Sequence, residues 1–441
     1  MEAAATLHER PVELLQRLIR FDTTNPPGNE RACIEWIADL LRSVGVEPQI
    51  VAKDVDRPNL IARLPGAGTA PAFLMQGHID VVPAEGDWEH PPFGGDVADG
   101  YIWGRGALDM KGGVAMMIAA FLRAAVVGAT PPGDVVLCVL SDEEARGDLG
   151  ARFVVEEHPS LFDRVRFAIG EFGGFTLELA GRRFYPIMVA EKQLCLVRAT
   201  FRGPAGHGSL PVRGGAMGAL GRFLHALDRR RLPVHVTPVT RSMLETVAAE
   251  VPAVVATPLR GLLRPRIADR VLDALGERGR IFDPLLHNTA SATVVRGGQS
   301  ANVIPGEVSV DLDCRLLPGF GPEDLLRELR SLAGAEIDFE VLRHDPAPPE
   351  PDMTLFPTLG SILCELDPGA IPTPLLFPAV SDARFFARLG IQTYGFLPMQ
   401  LPAEMRFMEL VHAENERLPV AAMDFGTEAI RRLLARFDEC G

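Results

Sequence analysis

Three short stretches of this 441-residue chain bring metal-binding and proton-transferring side chains together. In Met75-Gln76-Gly77-His78-Ile79-Asp80-Val81-Val82-Pro83 an apolar strand ends in a histidine, with an aspartate two positions on. Alternation along a strand sets His78 and Asp80 on one face, and a carboxylate beside an imidazole fixes its tautomer and raises its basicity as a ligand. In Trp103-Gly104-Arg105-Gly106-Ala107-Leu108-Asp109-Met110-Lys111-Gly112-Gly113 a glycine-rich turn presents one carboxylate just before a helix; glycine allows the close backbone approach and unusual dihedrals that hold Asp109 in place. In Leu140-Ser141-Asp142-Glu143-Glu144 three consecutive acids follow a buried strand, where open α/β sheets carry their sites. Like charges crowded there need cations or protons, and one carboxylate can hold a metal while its neighbour moves the proton of an activated water. Each stretch also has a plain structural reading: a strand-end histidine as a hydrogen-bonder, Asp109 as a helix N-cap, and Asp-Glu-Glu as a solvated acidic loop.

The elements that must position these groups alternate strand and helix. Amphipathic helices are expected near Pro11 to Arg20 and Glu30 to Val44, β-rich runs at Asn59 to Leu64 and Ala72 to Gln76, a long helix from Lys111 to Val127, and a strand buried on both faces at Val135 to Leu140. This is an α/β layer pattern. After Glu191 the alternation of Leu194, Leu196, Arg198 and Thr200, a helix from Gly215 to Leu227, a second alternating run from Val308 to Cys314 and a helix at Pro322 to Leu332 describe a compact α+β unit. Arg229 to Asn288, rich in Pro, Arg and Leu, reads as an elaborated connection without assigned elements. Beyond the Pro-rich linker His344 to Pro351, a helix (Thr354 to Leu366), a strand (Thr393 to Phe396) and a last helix (Leu418 to Phe437) return to the first pattern. One α/β domain interrupted by an inserted domain accounts for this order.

Composition sets the outer bounds. A chain of 441 residues exceeds what one core usually serves, so two units are expected. The formal charge of -14 argues against a nucleic-acid partner, which would need a basic face. The six cysteines are scattered without a CxxC pair and read as reduced core thiols. Leu7 to Phe21 lacks the apolar stretch of a signal peptide, and the run Val114 to Ala129, interrupted by Arg123, is too short to span a bilayer. No membrane partner and a cytoplasmic location are the resulting expectations.

Taken in order with Ile169-Gly170-Glu171-Phe172-Gly173-Gly174 and Val411-His412-Ala413-Glu414-Asn415-Glu416-Arg417, the three clusters resemble the M20 metallopeptidase family, which includes glutamate carboxypeptidases, carboxypeptidase S, aminoacylases and succinyl-diaminopimelate desuccinylase. The likeness runs from Thr24-Asn25-Pro26-Pro27-Gly28 to beyond His412. It implies a zinc-peptidase-like catalytic domain with a mixed sheet flanked by helices, over residues 1–190 and 348–441, and an inserted α+β lid and dimerisation domain over 191–347. It further implies that Asp109 bridges two metal ions, with His78 and Glu171 completing one site and Glu144 and His412 the other. Glu143 becomes the general base and Asp80 the partner of His78. The ions are taken as Zn2+, with Mn2+ or Co2+ compatible with the same oxygen and imidazole donors. The peptide bond after the bridging aspartate, Asp109 to Met110, is expected to be cis.

The segment Gly203-Pro204-Ala205-Gly206-His207-Gly208-Ser209-Leu210-Pro211 resembles the family's lid motif, which implies that His207 stabilises the oxyanion in the partner subunit's site of a homodimer. Asn302 and Arg315 resemble lid residues that hold substrate oxygens or a terminal carboxylate; Arg315 paired to Asp313 as a plain strand-face arginine is an equal alternative. His225 and His287 lie in no motif and read as structural. The implied reaction is hydrolysis of an amide bond in a small peptide or N-acyl amino acid, with Glu143 taking the proton of the attacking water and returning it to the leaving nitrogen. The Glu171-Phe172-Gly173-Gly174 segment resembles the Glu-Gly-Gly form of carboxypeptidase S-like members and favours a carboxypeptidase or N-acyl amino acid hydrolase, with an N-deacylase of the succinyl-diaminopimelate or acetylornithine type and a non-catalytic metal-binding homologue as alternatives.

Overall fold

The computed structural model describes residues 6–333 and 337–439. The chain divides into two compact units: Met1–Val189 with Asp352–Leu375 and Ser381–Gly441, and Ala190–Pro351 with Leu376–Val380.

The first unit is built on a mixed sheet. Its strands are β1 (Gln49–Val51), β2 (Asn59–Leu64), β3 (Ala72–His78), β4 (Val135–Leu140), β5 (Val165–Gly170), β6 (Arg182–Glu191), β7 (Ala370–Phe377) and β8 (Gln392–Gly395), in the spatial order β1-β2-β4-β3-β5-β8-β6-β7. A short strand, Leu177–Leu179, hairpins onto β6. β4, β3, β5 and β8 run parallel, while β2 and β6 meet them antiparallel. Every residue of β3 and β4 is buried, as expected of parallel strands covered on both faces. On one face lies α1 (Lys111–Val126), buried along nearly its whole length and packed against helices Pro11–Ile19 and Val420–Arg436. On the other, Ala151–Glu157 and Ala383–Phe386 close a core of Leu74, Val136, Cys138, Leu140, Phe385 and Phe386. The α/β architecture expected from the sequence is thus present.

The second unit contains a four-stranded antiparallel sheet in the order Thr289–Gly297, Glu307–Leu316, Gln193–Arg202, Asp338–Asp345. Strict alternation turns Cys195, Val197, Ala199, Phe201, Val308, Val310, Leu312 and Cys314 into a core roofed by helices Ala216–Arg229 and Pro322–Ala333. The opposite face carries ion pairs such as Arg198 to Asp311.

Two regions differ from the sequence expectation. The stretch 229–288 contains three full helices, Pro238–Glu250, Ala253–Leu262 and Pro265–Leu275; Pro238 and Pro265 begin helices, where the missing N–H is harmless, Pro258 sits inside the second, and Thr237 Oγ1 caps the first by accepting from Thr240 N–H. The last helix starts at Val420, because Arg417–Pro419 instead pairs antiparallel with Tyr101–Trp103. The five described cysteines are free, and Cys364 is exposed where a core thiol was expected; Cys440 lies outside the described residues. Among the described residues no helix is long and apolar enough to cross a membrane.

Candidate metal centre

Parallel strands end on one edge of a sheet, so whatever follows them shares that edge. His78 is the last residue of β3, Glu143 and Glu144 follow β4, and Glu171 follows β5 directly. Asp109 stands two residues before the start of α1, and the peptide bond joining it to Met110 is cis. His412 belongs to the turn that leads into Arg417–Pro419. The turns carrying these groups are conformationally demanding: Asp142, Arg146, Phe172, His412 and Asn415 all have positive φ, a state that non-glycine residues hold only where their surroundings impose it.

Asp109 stands between two imidazoles. Its Oδ1 is 3.2 Å from His78 Nε2, and its Oδ2 is 3.2 Å from His412 Nε2. Glu171 Oε2 is 3.5 Å from the same nitrogen of His78, and Glu144 Oε2 is 3.2 Å from that of His412. Glu143 groups with His78 and Glu171, and Glu144 with His78 and Asp109. Those two groups share His78, while the pair distances make Asp109 the group common to His78 and Glu171 on one side and to His412 and Glu144 on the other.

His78 Nδ1 faces the backbone carbonyl of Asp80 at 3.0 Å. In the tautomer that donates this bond, Nε2 carries a bare lone pair pointing at two carboxylates, a repulsive arrangement unless a proton or a cation lies between them. The carboxylate of Asp80 lies 3.4 Å from His78 Nδ1. Its oxygens also accept from the N–H groups of Glu143 and Glu144, both at 3.1 Å, and from Asn25 Nδ2 at 2.8 Å. One buried aspartate thus fixes both the histidine and the turn carrying the two glutamates. Asp142, the first acid of the triplet, is not part of the cluster: it takes Arg57 Nη1 at 3.0 Å, beside the Arg57 to Glu30 pair, and accepts from Leu149 N–H.

The proton affinities follow from this crowding. Burial pulls His78 down, but Asp109, Asp80 and Glu171 outweigh it and hold its pKa well above the ordinary value. Asp109, though buried, is held below the usual carboxylate range by the two histidines. His412 is pushed up to about 10, by Asp109 and then Glu144. Burial raises Glu144 to about 7, against the pull of His412. Glu143 rises well above its usual range through burial and the charge of Glu171. Raised affinities of this kind mark a cluster whose negative charge needs protons or cations to offset it.

The donor set fits divalent ions. A tetrahedral ion with ligands at about 2.0 to 2.2 Å sets its donors roughly 3.3 Å apart, and the observed separations of 3.2 to 3.5 Å match. Glu144 Oε1 is buried with no hydrogen-bond partner among the described residues, as expected of an oxygen with coordination capacity to spare.

The other sequence-derived candidates lie in the second unit. His207 pairs in a short strand with Val303, and its Nδ1 meets Ser209 Oγ at 2.7 Å. Asn302 adjoins it, its carbonyl accepting from Gly208 N–H at 2.8 Å. Arg315 forks onto Asp313, through Nε at 2.7 Å and Nη2 at 3.0 Å, as in the strand-face alternative. His287 is held by Asp283 and Asp269 as a structural histidine. Sequence reasoning missed Asn25, quoted only as part of a motif, and the buried Asp382, whose carboxylate oxygens have no hydrogen-bond partner among the described residues. Neither has a spacing signal, because each reaches its place through a distant loop.

The profile of peptidase family M20/M25/M40 matches residues 74–436. The chain is 28% identical over 383 residues to the human N-fatty-acyl-amino acid synthase/hydrolase PM20D1, covering 83% of this chain and 74% of that protein. It is 31% identical over 395 residues to a succinyl-diaminopimelate desuccinylase of Methylobacterium radiotolerans, covering 85% of each. Its fold is that of an M20 family metallo-carboxypeptidase of Sulfolobus solfataricus, with a TM-score of 0.69 at 18% identity over 97% of this chain and 99% of the other.

Proposed function

Because the chain belongs to peptidase family M20/M25/M40 and so is a hydrolase acting on amide bonds, we propose that it cleaves small peptides or N-acyl amino acids with two divalent ions held by His78, Asp109, Glu171, Glu144 and His412. The observation that carries this reading is Asp109, whose two oxygens each face a different histidine at 3.2 Å. Zinc suits these imidazole and carboxylate donors, and Mn2+ or Co2+ can replace it.

When bound, the ions supply the positive field that acidifies the attacking water and polarises the scissile carbonyl. Glu143, on the turn after β4, takes the proton of that water and hands it to the leaving nitrogen. Its raised proton affinity suits a group that must both accept and release. Asp80 keeps His78 oriented and holds the N–H of Glu143, so the base and a ligand move together. His207 donates to the developing oxyanion from a second copy of the chain, and the inserted unit acts as lid and dimerisation domain, over 191–347 against 1–190 and 348–441. Asn302 and Arg315 hold substrate oxygens or a terminal carboxylate.

For the substrate, the motif around Glu171 favours a carboxypeptidase-like activity. The names of the two curated relatives favour an N-acyl amino acid as the bond-bearing group. A cytoplasmic setting accords with five free cysteines.

The test is hydrolysis of a mixed panel of dipeptides and N-acyl amino acids after chelator stripping and after return of Zn2+, Mn2+ or Co2+, by wild type and Glu143→Ala. Metal-restored cleavage that disappears in the variant supports the mechanism and identifies the substrate class. A chain that takes up no metal under any condition sinks the proposal.

A further inference from the structure

Glu416 lies four residues beyond His412 and is fully buried. Its Oε1 accepts from the N–H of Leu108 at 2.7 Å and of Asp109 at 3.1 Å. Its Oε2 accepts from the N–H of Gly106 at 3.0 Å and from Arg105 Nη1 at 2.8 Å. Arg105, 2% exposed, also donates to the carbonyls of Ala413 at 3.0 Å, His412 at 3.3 Å and Pro83 at 3.2 Å. Gly106 sits at φ +85, and a side chain there would meet Val81 and Lys111, so the turn can wrap the carboxylate only as glycine.

One ion pair thus ties three backbone segments: the turn that presents Asp109, the turn that presents His412, and the exit from β3 beyond Asp80. A buried pair adds little net stability, because desolvation offsets its attraction. What these bonds add is geometry. His78 and Glu171 end or directly follow parallel strands whose ladders already fix them. His412 has no ladder partner of its own, sits at φ +64 and has a half-exposed side chain.

We propose that Arg105 and Glu416 are positioning residues that set the affinity for the ion on the His412 and Glu144 side, and hence how many ions the chain holds. The inference rests on the assignment of Asp109 and His412 as ligands. The ion on the His412 side depends on both ends of this tie, through Asp109 and through His412. The ion on the His78 side depends on Asp109 alone and keeps its sheet-borne ligands.

The experiment is calorimetric titration of the chelator-stripped full chain with Zn2+, comparing wild type, Glu416→Gln, Arg105→Lys and a surface control, Glu428→Gln, which removes the carboxylate facing Arg431 and Arg432. In both positioning variants the weaker equivalent should lose about 10- to 100-fold in affinity while the tighter one stays within about threefold; the control should match wild type in both. Wild-type affinities for both equivalents in the variants would overturn the inference and leave the two-ion site standing. Equal weakening of both, tracking a lower melting temperature of the metal-free chain, would make the pair merely structural and overturn it too. No uptake by wild type would remove the ligand assignment itself. If Glu416→Gln does not fold, Arg105→Lys, which keeps the charge, carries the comparison.

Discussion

In the first unit, His78 is buried, its ring nitrogens face Asp80, Asp109 and Glu171, and the aspartate beside it is held by three N–H donors. In the second, His207 is exposed and meets Ser209 two residues on, Asn302 is bonded by Ser300, and Arg315 is forked by its neighbour Asp313. One set is assembled from residues more than 300 positions apart in sequence, Asp109 and His412; the other is satisfied by local partners. The difference teaches that the first unit is preorganised around charge, whereas the groups of the second are satisfied by sequence neighbours and, in the proposed function, are held in reserve for substrate. Preorganised donors lose most when a partner is removed; reserve groups should matter in turnover and little in the resting protein.

Four variants test that contrast. The largest effect is expected from Asp109→Asn, which weakens both donor sets at once: metal content should fall below that of any single-histidine variant, and kcat/KM should drop on the order of 10⁴-fold or more as water acidification is lost. Atomic absorption beside kinetics checks it, and a variant that retains both ions would break the view of Asp109 as the shared group. His207→Ala comes next, with kcat lower by about 10²- to 10³-fold and metal content unchanged; a change in metal content would show that the second unit is not a reserve.

Asp313→Ala should have a smaller and opposite effect, since it frees the Arg315 guanidinium. A few-fold lower KM is expected for substrates with a free terminal carboxylate, and none for their amides, on the order of 1 kcal/mol for a released charged hydrogen bond. Equal KM for both would return Arg315 to a purely structural role. The smallest effect concerns stability. Burial pushes Asp382 up to about 8 from 3.8, against the pull of Arg384. Below the lower value the carboxyl is protonated folded or unfolded and carries no penalty. As pH rises toward about 8 the unfolded chain releases its proton more readily, so folding stability is progressively lost. In urea unfolding of the metal-free chain, Asp382→Asn should therefore gain on wild type across that interval, by up to a few kcal/mol at about 1.36 kcal/mol per unit; a pH-independent difference would refute this.

Much of the candidate site was legible in the sequence because its parts are local. A histidine and an aspartate two apart at a strand end, a carboxylate in a glycine-rich turn and acids after a buried strand each announce themselves within ten residues, and parallel strands then deliver them to one edge. The strand alternation that built the second unit was equally readable. What periodicity could not supply lay where no period exists. The helices in 229–288 were hidden by prolines that start helices as readily as they end them, and the final helix begins late because Arg417–Pro419 pairs with a strand more than 300 residues earlier.

The sequence by itself determined which side chains are present, their face on each strand, and the α/β class. Only the tertiary structure decided their roles relative to one another. Asp80 serves both His78 and the Glu143 turn, Asp142 is withdrawn to Arg57, and Glu416, silent in its motif, wraps the Asp109 turn. The physical reason is that a buried carboxylate must find its donors wherever the folded backbone offers them. Those N–H groups come from segments that chain order keeps far apart.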